Sequence, residues 1–273
     1  MSTQQTGSTV EAPGGPVRAV LVGFALTLFG ILAADLFTTP AIVIEPGLLE
    51  NPAETTLASR TAYFVLNFVG MAAAGAVYLA YTGRGWDFVD LRLPTRREWL
   101  YTLAGTVIIL GFYVASTVLI TLLDLPAADT GVLEFVGDDE AMVLILIAIA
   151  FLFNSPAEEF LFRNVIQKRL YAAFSRSGAV VVASAIFALV HLPVYVVFAD
   201  STLAVAVPIV LLFGGGLILG YSYVVTENLV TPIIIHAVYN SFIWTLLYIS
   251  MVYDFEEVET PVDLLVQVPG LVG

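Results

Sequence analysis

The chain has 273 residues, 59% of them apolar and only 12% charged, which excludes a soluble globular domain, where apolar residues run at about 45–50% and charged ones at about 25%. Ten Lys and Arg against twenty-three Asp and Glu give a formal net charge of −13; nucleic acid is excluded as a partner, because no basic surface exists to neutralise phosphates. No cysteine is present, so disulfides, thiolate metal sites and cysteine nucleophiles are ruled out.

In chain order, residues 1–16 are rich in Ser, Thr, Gln, Gly and Pro without apolar periodicity, and read as a disordered tail. The apolar run over 17–39 is longer than a signal-peptide core of about 7–15 residues and lacks a clear small-residue cleavage site, so it reads as a retained first span. Further apolar runs follow at 61–82, 98–123, 141–155, 178–199, 203–225 and 229–252, near the ~20 residues that cross hydrocarbon. Between the fourth and fifth lies PAEEFLFRNVIQKRLYAAFSRS at 156–177, too polar to face lipid throughout, whose first half continues the fourth helix into the bundle. The expected fold class is all-α: a polytopic transmembrane helix bundle of about seven to eight helices, forming one domain over 17–253 with an acidic tail over 254–273. Gly214, Gly215 and Gly216 in the sixth span read as close helix packing. No internal repeat is evident, which disfavours the repeated-half transporter architectures.

The connections sort by sign. Arg84, Arg92, Arg96 and Arg97 follow the second span, and Lys168, Arg169 and Arg176 follow the fourth; the opposite loops carry acids such as Glu45, Glu50, Asp124, Glu134, Asp139 and Asp200. The cationic loops are expected in the cytoplasm. That makes the chain a multi-pass protein of the cell membrane with its N-terminus inside and its C-terminus outside, Arg60 being the one dissenting cation. The single lysine, Lys168, and the acidic soluble segments give a composition like that of proteins from salt-adapted organisms.

Ionisable side chains inside a span are expensive and usually mark a functional path or site. Here they are Asp35 in the first span, Glu158, Glu159 and Arg163 at the fourth, His191 in the fifth, and His236 with the amide Asn240 in the seventh. Glu159 and Arg163 are four apart, as are His236 and Asn240, so each pair projects from one helical face. His236 lies about seven residues into its span, roughly 10 Å deep at 1.5 Å per residue. Structural readings compete with this. Ser155 to Glu158 fits a capping box; Glu159 and Arg163 fit an intrahelical ion pair; His191, just before Leu192-Pro193, fits a bond to a carbonyl loosened by the proline; His236 and Asn240 fit polar glue between helices.

Two Glu, two His, an Arg and an Asn, without cysteine, suit hydrolysis of an acyl bond. A carboxylate and an imidazole share a water as general base, and a second imidazole with an amide donates to the oxyanion. Glu159, His191 and His236 are equally of the types that hold Zn²⁺ and lower the pKa of bound water. No HExxH helix is present, and a glutamate-activated and a metal-activated water both stay open. Buried Glu and His also make proton relays, so a proton-coupled transporter is the alternative class, and a non-catalytic membrane scaffold the third.

EEFLFR at 158–163, FALVH at 187–191 and HAVYN at 236–240 resemble the EExxxR, FxxxH and HxxxN signatures of the CAAX-processing and bacteriocin-processing (CPBP, or Abi) intramembrane proteases, which include type II CAAX prenyl endopeptidases. The resemblance covers about 140–250. It implies an α-helical membrane endopeptidase whose polar cavity opens toward the cytosolic leaflet; the salt-adapted composition points to a prokaryotic source, and so to a short peptide tail or a membrane-protein segment as substrate rather than a prenylated CAAX protein. By the resemblance Glu158 activates water with His191 as its partner, Glu159 and Arg163 orient and balance them, and His236 and Asn240 stabilise the oxyanion. Family members have been described both as metalloproteases and as glutamate proteases. One departure is Asn164, where many members have glycine.

Overall fold

The structure is a computed structural model that describes residues 15–128 and 131–253. Among these, seven helices are long and apolar enough to cross a membrane: α1 Pro16–Ile44, α2 Leu57–Tyr81, α3 Arg96–Leu122, α4 Glu140–Leu170, α5 Arg176–Val197, α6 Thr202–Thr226 and α7 Val230–Val252. The all-α transmembrane bundle is therefore the observed fold. Apart from Gly15 and Pro16, the tails expected over 1–16 and 254–273 lie outside the described residues, and Pro16 already opens α1.

Polar side chains set the helix starts. Thr95 and Glu98 form a reciprocal capping box on α3, and Ser175 and Ser201 accept from backbone N–H groups at the first turns of α5 and α6, satisfying donors that have no intrahelical partner. Pro40 does not end α1, which runs on to Ile44; the first span is longer than the run to 39 suggested. Membrane helices tolerate such a proline because neighbouring groups absorb the freed backbone positions.

The bundle is apolar outside and polar within. Leu21, Leu28, Leu32 and Leu36 of α1 and Leu100, Leu103 and Val107 of α3 are exposed, whereas Asn154, Glu158, Glu159, Arg163, Asn164, Gln167, His236 and Asn240 are buried. Helices then pack through small residues rather than through a hydrophobic drive. A Cβ on Gly70 would sit 2.5 Å from the Ala33 carbonyl oxygen, so α1 and α2 need glycine to meet. One on Gly214 would strike the Phe112 ring of α3, and one on Gly216 would press Ser184 of α5, while Gly215 faces open space.

Helix α4 is the axis of the fold. It starts at Asp139, whose carboxylate accepts from the Ala141 N–H at 3.1 Å, and continues without a break through two π-helical stretches, Ala150–Asn154 and Phe160–Gln167. The first stretch immediately precedes Pro156, which lacks the N–H an α-turn would use and whose ring crowds the carbonyl four residues back. Widened turns of this kind recur at functional sites. The second stretch is buried at every residue from Leu161 to Gln167, which accounts for a polar segment surviving at membrane depth.

Arg60, the dissenting cation, is 3% exposed. From the first turn of α2 it donates to the Phe135 carbonyl at 2.8 Å and pairs with Asp139 at 2.5 Å. It thereby fastens a short helix, Val132–Val136, across the α3–α4 connection. Phe135 also stacks on Tyr63 at 4.9 Å between centroids.

Candidate active site

The chemistry-bearing residues of α4 and α7 meet in the bundle interior. Glu159, fully buried, uses both oxygens: Oε2 accepts from Arg163 Nε and Oε1 meets His236 Nδ1, each at 2.9 Å. A carboxylate only accepts, so Nδ1 carries the proton and Nε2 is the ring's free position. Nε2 lies 3.3 Å from Asn240 Nδ2 and 3.9 Å from Glu158 Oε2. The i,i+4 spacing on α4 makes the ion pair; the one on α7 brings the Asn240 amide within hydrogen-bonding distance of the imidazole.

Asn154 closes the group and was not among the residues singled out by sequence. Its Nδ2 donates to Glu158 Oε1 at 2.9 Å, and its Oδ1 accepts from Asn240 at 2.7 Å. The signal was present as an amide four residues before Glu158 in an apolar run. Replacing Asn154 with Ala should lower kcat of a cleavage reaction by about 10- to 100-fold through misplacement of Glu158, with KM nearly unchanged and partial rescue by Asn154→Ser. An unchanged kcat would remove Asn154 from the positioning set.

These contacts decide the competing readings of Glu158 and Glu159. Ser155 does not cap a helix start, because α4 is already fifteen residues old there, and its Oγ makes no hydrogen bond within the protein. Glu158 turns to Asn154 rather than to backbone. Glu159 and Arg163 are an ion pair, but one that reaches α7 through His236.

His191 stands at the end of the first stretch of α5. Its own N–H bonds the Ala188 carbonyl at 3.2 Å, a tight turn that leaves the Phe187 carbonyl to the imidazole, whose Nδ1–H donates to it at 2.7 Å. The ring does bond a backbone carbonyl, as one sequence reading had it, but that of Phe187, freed by the tight turn at His191 rather than by Pro193, whose missing N–H would have served Leu189. Phe187 places the ring, meeting it at 4.8 Å, and lies under the Arg163 guanidinium at 5.3 Å. Asp35 stays on the exposed face of α1 and does not join the group.

A cavity of about 520 Å³ lies between α1, α2, α4 and α5, with Glu158 and His191 both on its wall. Glu158 Oε2 is buried and makes no hydrogen bond within the protein, as is true of Arg163 Nη1 and Nη2 and Asn240 Oδ1 in the same group. Buried polar atoms are costly unless bonded, so this group demands water or substrate. Among the described residues no set of three or more His, Asp or Glu side chains converges as a metal site, so Glu159, His191 and His236 are not gathered as ligands.

The cavity rim is formed by Glu134 on the short helix and by Pro193, Val194 and Phe198 at the C-terminal end of α5, all exposed. This is the end of the bundle opposite the loops with Arg84, Arg92 and Lys168. Cationic loops and cavity mouth, both expected on the cytoplasmic side, therefore occupy opposite ends of the molecule. Toward the cationic end α4 runs through its buried stretch Leu161–Gln167, where the departure residue Asn164 donates to Tyr223 at 3.1 Å and to the Phe88 carbonyl at 3.3 Å.

Compared with known proteins, residues 140–242 match the family model described as type II CAAX prenyl endopeptidase Rce1-like. The match takes in α4, α5, α6 and the part of α7 that carries His236 and Asn240, and it supports a CPBP family protease. No curated protein and no solved structure matches the chain.

Proposed function

We propose that this multi-pass membrane protein is an intramembrane endopeptidase of the CPBP type, cutting a peptide bond with a water held at Glu158. The observation that carries the reading is the second oxygen of Glu158: buried, making no hydrogen bond within the protein, and belonging to a side chain on the wall of a cavity that it shares with His191. The Rce1-like match supports CAAX-type protease activity.

In this mechanism Glu158 Oε2 takes a proton as the water oxygen bonds to the scissile carbonyl carbon, with His191 across the cavity as the partner base. When His236 Nε2 also carries a proton it no longer accepts from Asn240, and the oxyanion then accepts from Nε2–H and from the Asn240 N–H so released. Glu159 fixes the His236 ring through Nδ1, the role a carboxylate plays behind a histidine in hydrolase triads. As the C–N bond breaks, the proton on Glu158 passes to the departing nitrogen, so the carboxylate is regenerated. Peptides are the substrate class and the bilayer the setting; the N-terminus and cationic loops are placed in the cytoplasm and the C-terminus outside.

The test is cleavage of a quenched-fluorophore peptide library by protein reconstituted in liposomes. Replacing His191 with Ala should reduce turnover by about 100- to 10,000-fold, the usual worth of a positioned base, while thermal stability in detergent holds because the lost ring is partly exposed. Wild-type turnover in that variant would refute the assignment of His191.

A further inference from the structure

A second cavity, of about 380 Å³, sits at the cationic end, where Lys168 on its wall is ten residues beyond Glu158 along α4 and so about 15 Å from it. Asp90 of the α2–α3 loop, Lys168 and Tyr171 at the end of α4, Arg176 at the start of α5, and Tyr223 and Glu227 at the end of α6 face this cavity. The segment 89–92 divides it from the apolar surface. Asp90 and Arg92 turn to the polar cavity, whereas Val89 and Leu91 turn to a groove beside Trp86, Pro156 and Phe160. The local field is positive in a chain of net charge −13. Among the described residues this end carries every Lys and Arg except Arg60 and Arg163, against four acids, Asp87, Asp90, Glu98 and Glu227.

Three side chains at the cavity keep donors in reserve. Lys168 Nζ has three N–H bonds and spends two, on the Phe88 carbonyl at 2.6 Å and on Asp90 at 3.0 Å. Arg176 gives Glu227 one guanidinium nitrogen, Nη1, which leaves Nε and Nη2. The Tyr171 hydroxyl accepts from the buried Gln167 amide at 2.9 Å, so its own proton is left to donate. Arg92 is committed, since both its terminal nitrogens bond Glu98. The two acids on the wall differ as well. Asp90 is already answered by Lys168 and by the Tyr223 hydroxyl, which donates to it. Glu227 is held by Arg176, and both of these side chains are more than half exposed, the setting in which an ion pair is weak.

We infer that this cavity binds a phosphate group, carried by a phospholipid headgroup or as the free anion, with Lys168, Arg176 and Tyr171 donating to its oxygens and Glu227 displaced from Arg176. A phosphate offers several oxygens to several donors at once, and a guanidinium meets it with two parallel bonds. A basic pocket between the cytoplasmic ends of spans suits a lipid headgroup.

The test follows thermal unfolding of the full chain in a neutral maltoside detergent. Sodium phosphate and dioctanoyl phosphatidylglycerol are each titrated in, with sodium chloride at equal ionic strength and dioctanoylglycerol as the references that lack phosphate. The expected result is a saturable rise in Tm with a phosphate-bearing probe and none with either reference. A rise with the lipid alone assigns the headgroup; a rise with inorganic phosphate assigns the free anion. Arg176→Gln should weaken binding by about tenfold or more, the cost of a charge-assisted bond. Glu227→Gln should tighten it several-fold, because the competing carboxylate is gone. Midpoints without ligand check that both exposed substitutions leave the fold intact. The absence of a saturable rise with either probe, wild-type affinity in Arg176→Gln, or affinity in Glu227→Gln no tighter than wild type each overturns the inference.

Discussion

Replacing Glu158 with Gln is expected to abolish peptide cleavage while leaving the fold intact. The amide keeps an oxygen facing Asn154, so the 2.9 Å bond that positions the side chain survives. What changes is the position of Oε2, 3.9 Å from His236 Nε2: an NH₂ group stands where the water must lose its proton, and an amide takes up no proton near neutral pH. Loss of a general base costs about 10²- to 10⁴-fold in rate, which corresponds to roughly 3–5 kcal/mol of barrier at 1.36 kcal/mol per decade. Detergent extraction and thermal unfolding should match the wild type, since no buried partner is orphaned. Turnover within tenfold of wild type would mean that water is activated elsewhere, and the proposed mechanism would fall.

Much of this arrangement could be read from residue order because membranes punish polarity. Where so few polar residues occur in apolar runs, each one draws attention, and helical spacing then says which pairs share a face. That reasoning reached Glu158, Glu159, Arg163, His236 and Asn240, which the structure gathers between α4 and α7. It also reached His191, which shares a cavity wall with Glu158 instead of joining their hydrogen-bond network. Asn154 escaped because asparagine is cheap enough inside a span to look incidental; its significance lies in two partners, one of them 86 residues away. The pairing of Arg60 with Asp139, 79 residues apart, escaped for the same reason, and without it Arg60 looks like a topology signal. The cavity mouth was beyond sequence altogether. It depends on the short helix Val132–Val136 settling beside the end of α5 at Val197; the end of α5 was legible in the run to 199, but that packing does not follow from local pattern.

The largest effect on stability is expected from splitting the Glu159–Arg163 pair. Both side chains are fully buried, and the guanidinium Nη atoms already lack protein partners, so the carboxylate is the one charge that compensates Arg163 directly. Arg163→Met leaves Glu159 buried with only His236 to answer it; Glu159→Gln leaves the guanidinium with a neutral amide. Either single change should cost about 3–5 kcal/mol, because an uncompensated buried charge is worse than none. The double variant, Glu159→Gln with Arg163→Met, removes both charges and should recover much of that loss, so that the coupling in a double-mutant cycle exceeds the cost of either single change. Activity should not return with stability. A glutamine at 159 no longer fixes the charge and tautomer of His236 through Nδ1, so the double variant should unfold near wild-type denaturant concentrations in detergent yet cleave no faster than the single variants. If both singles were as stable as the wild type, the pair would hold nothing together; if the double variant cleaved peptides at full rate, Glu159 would have no part in orienting the histidine.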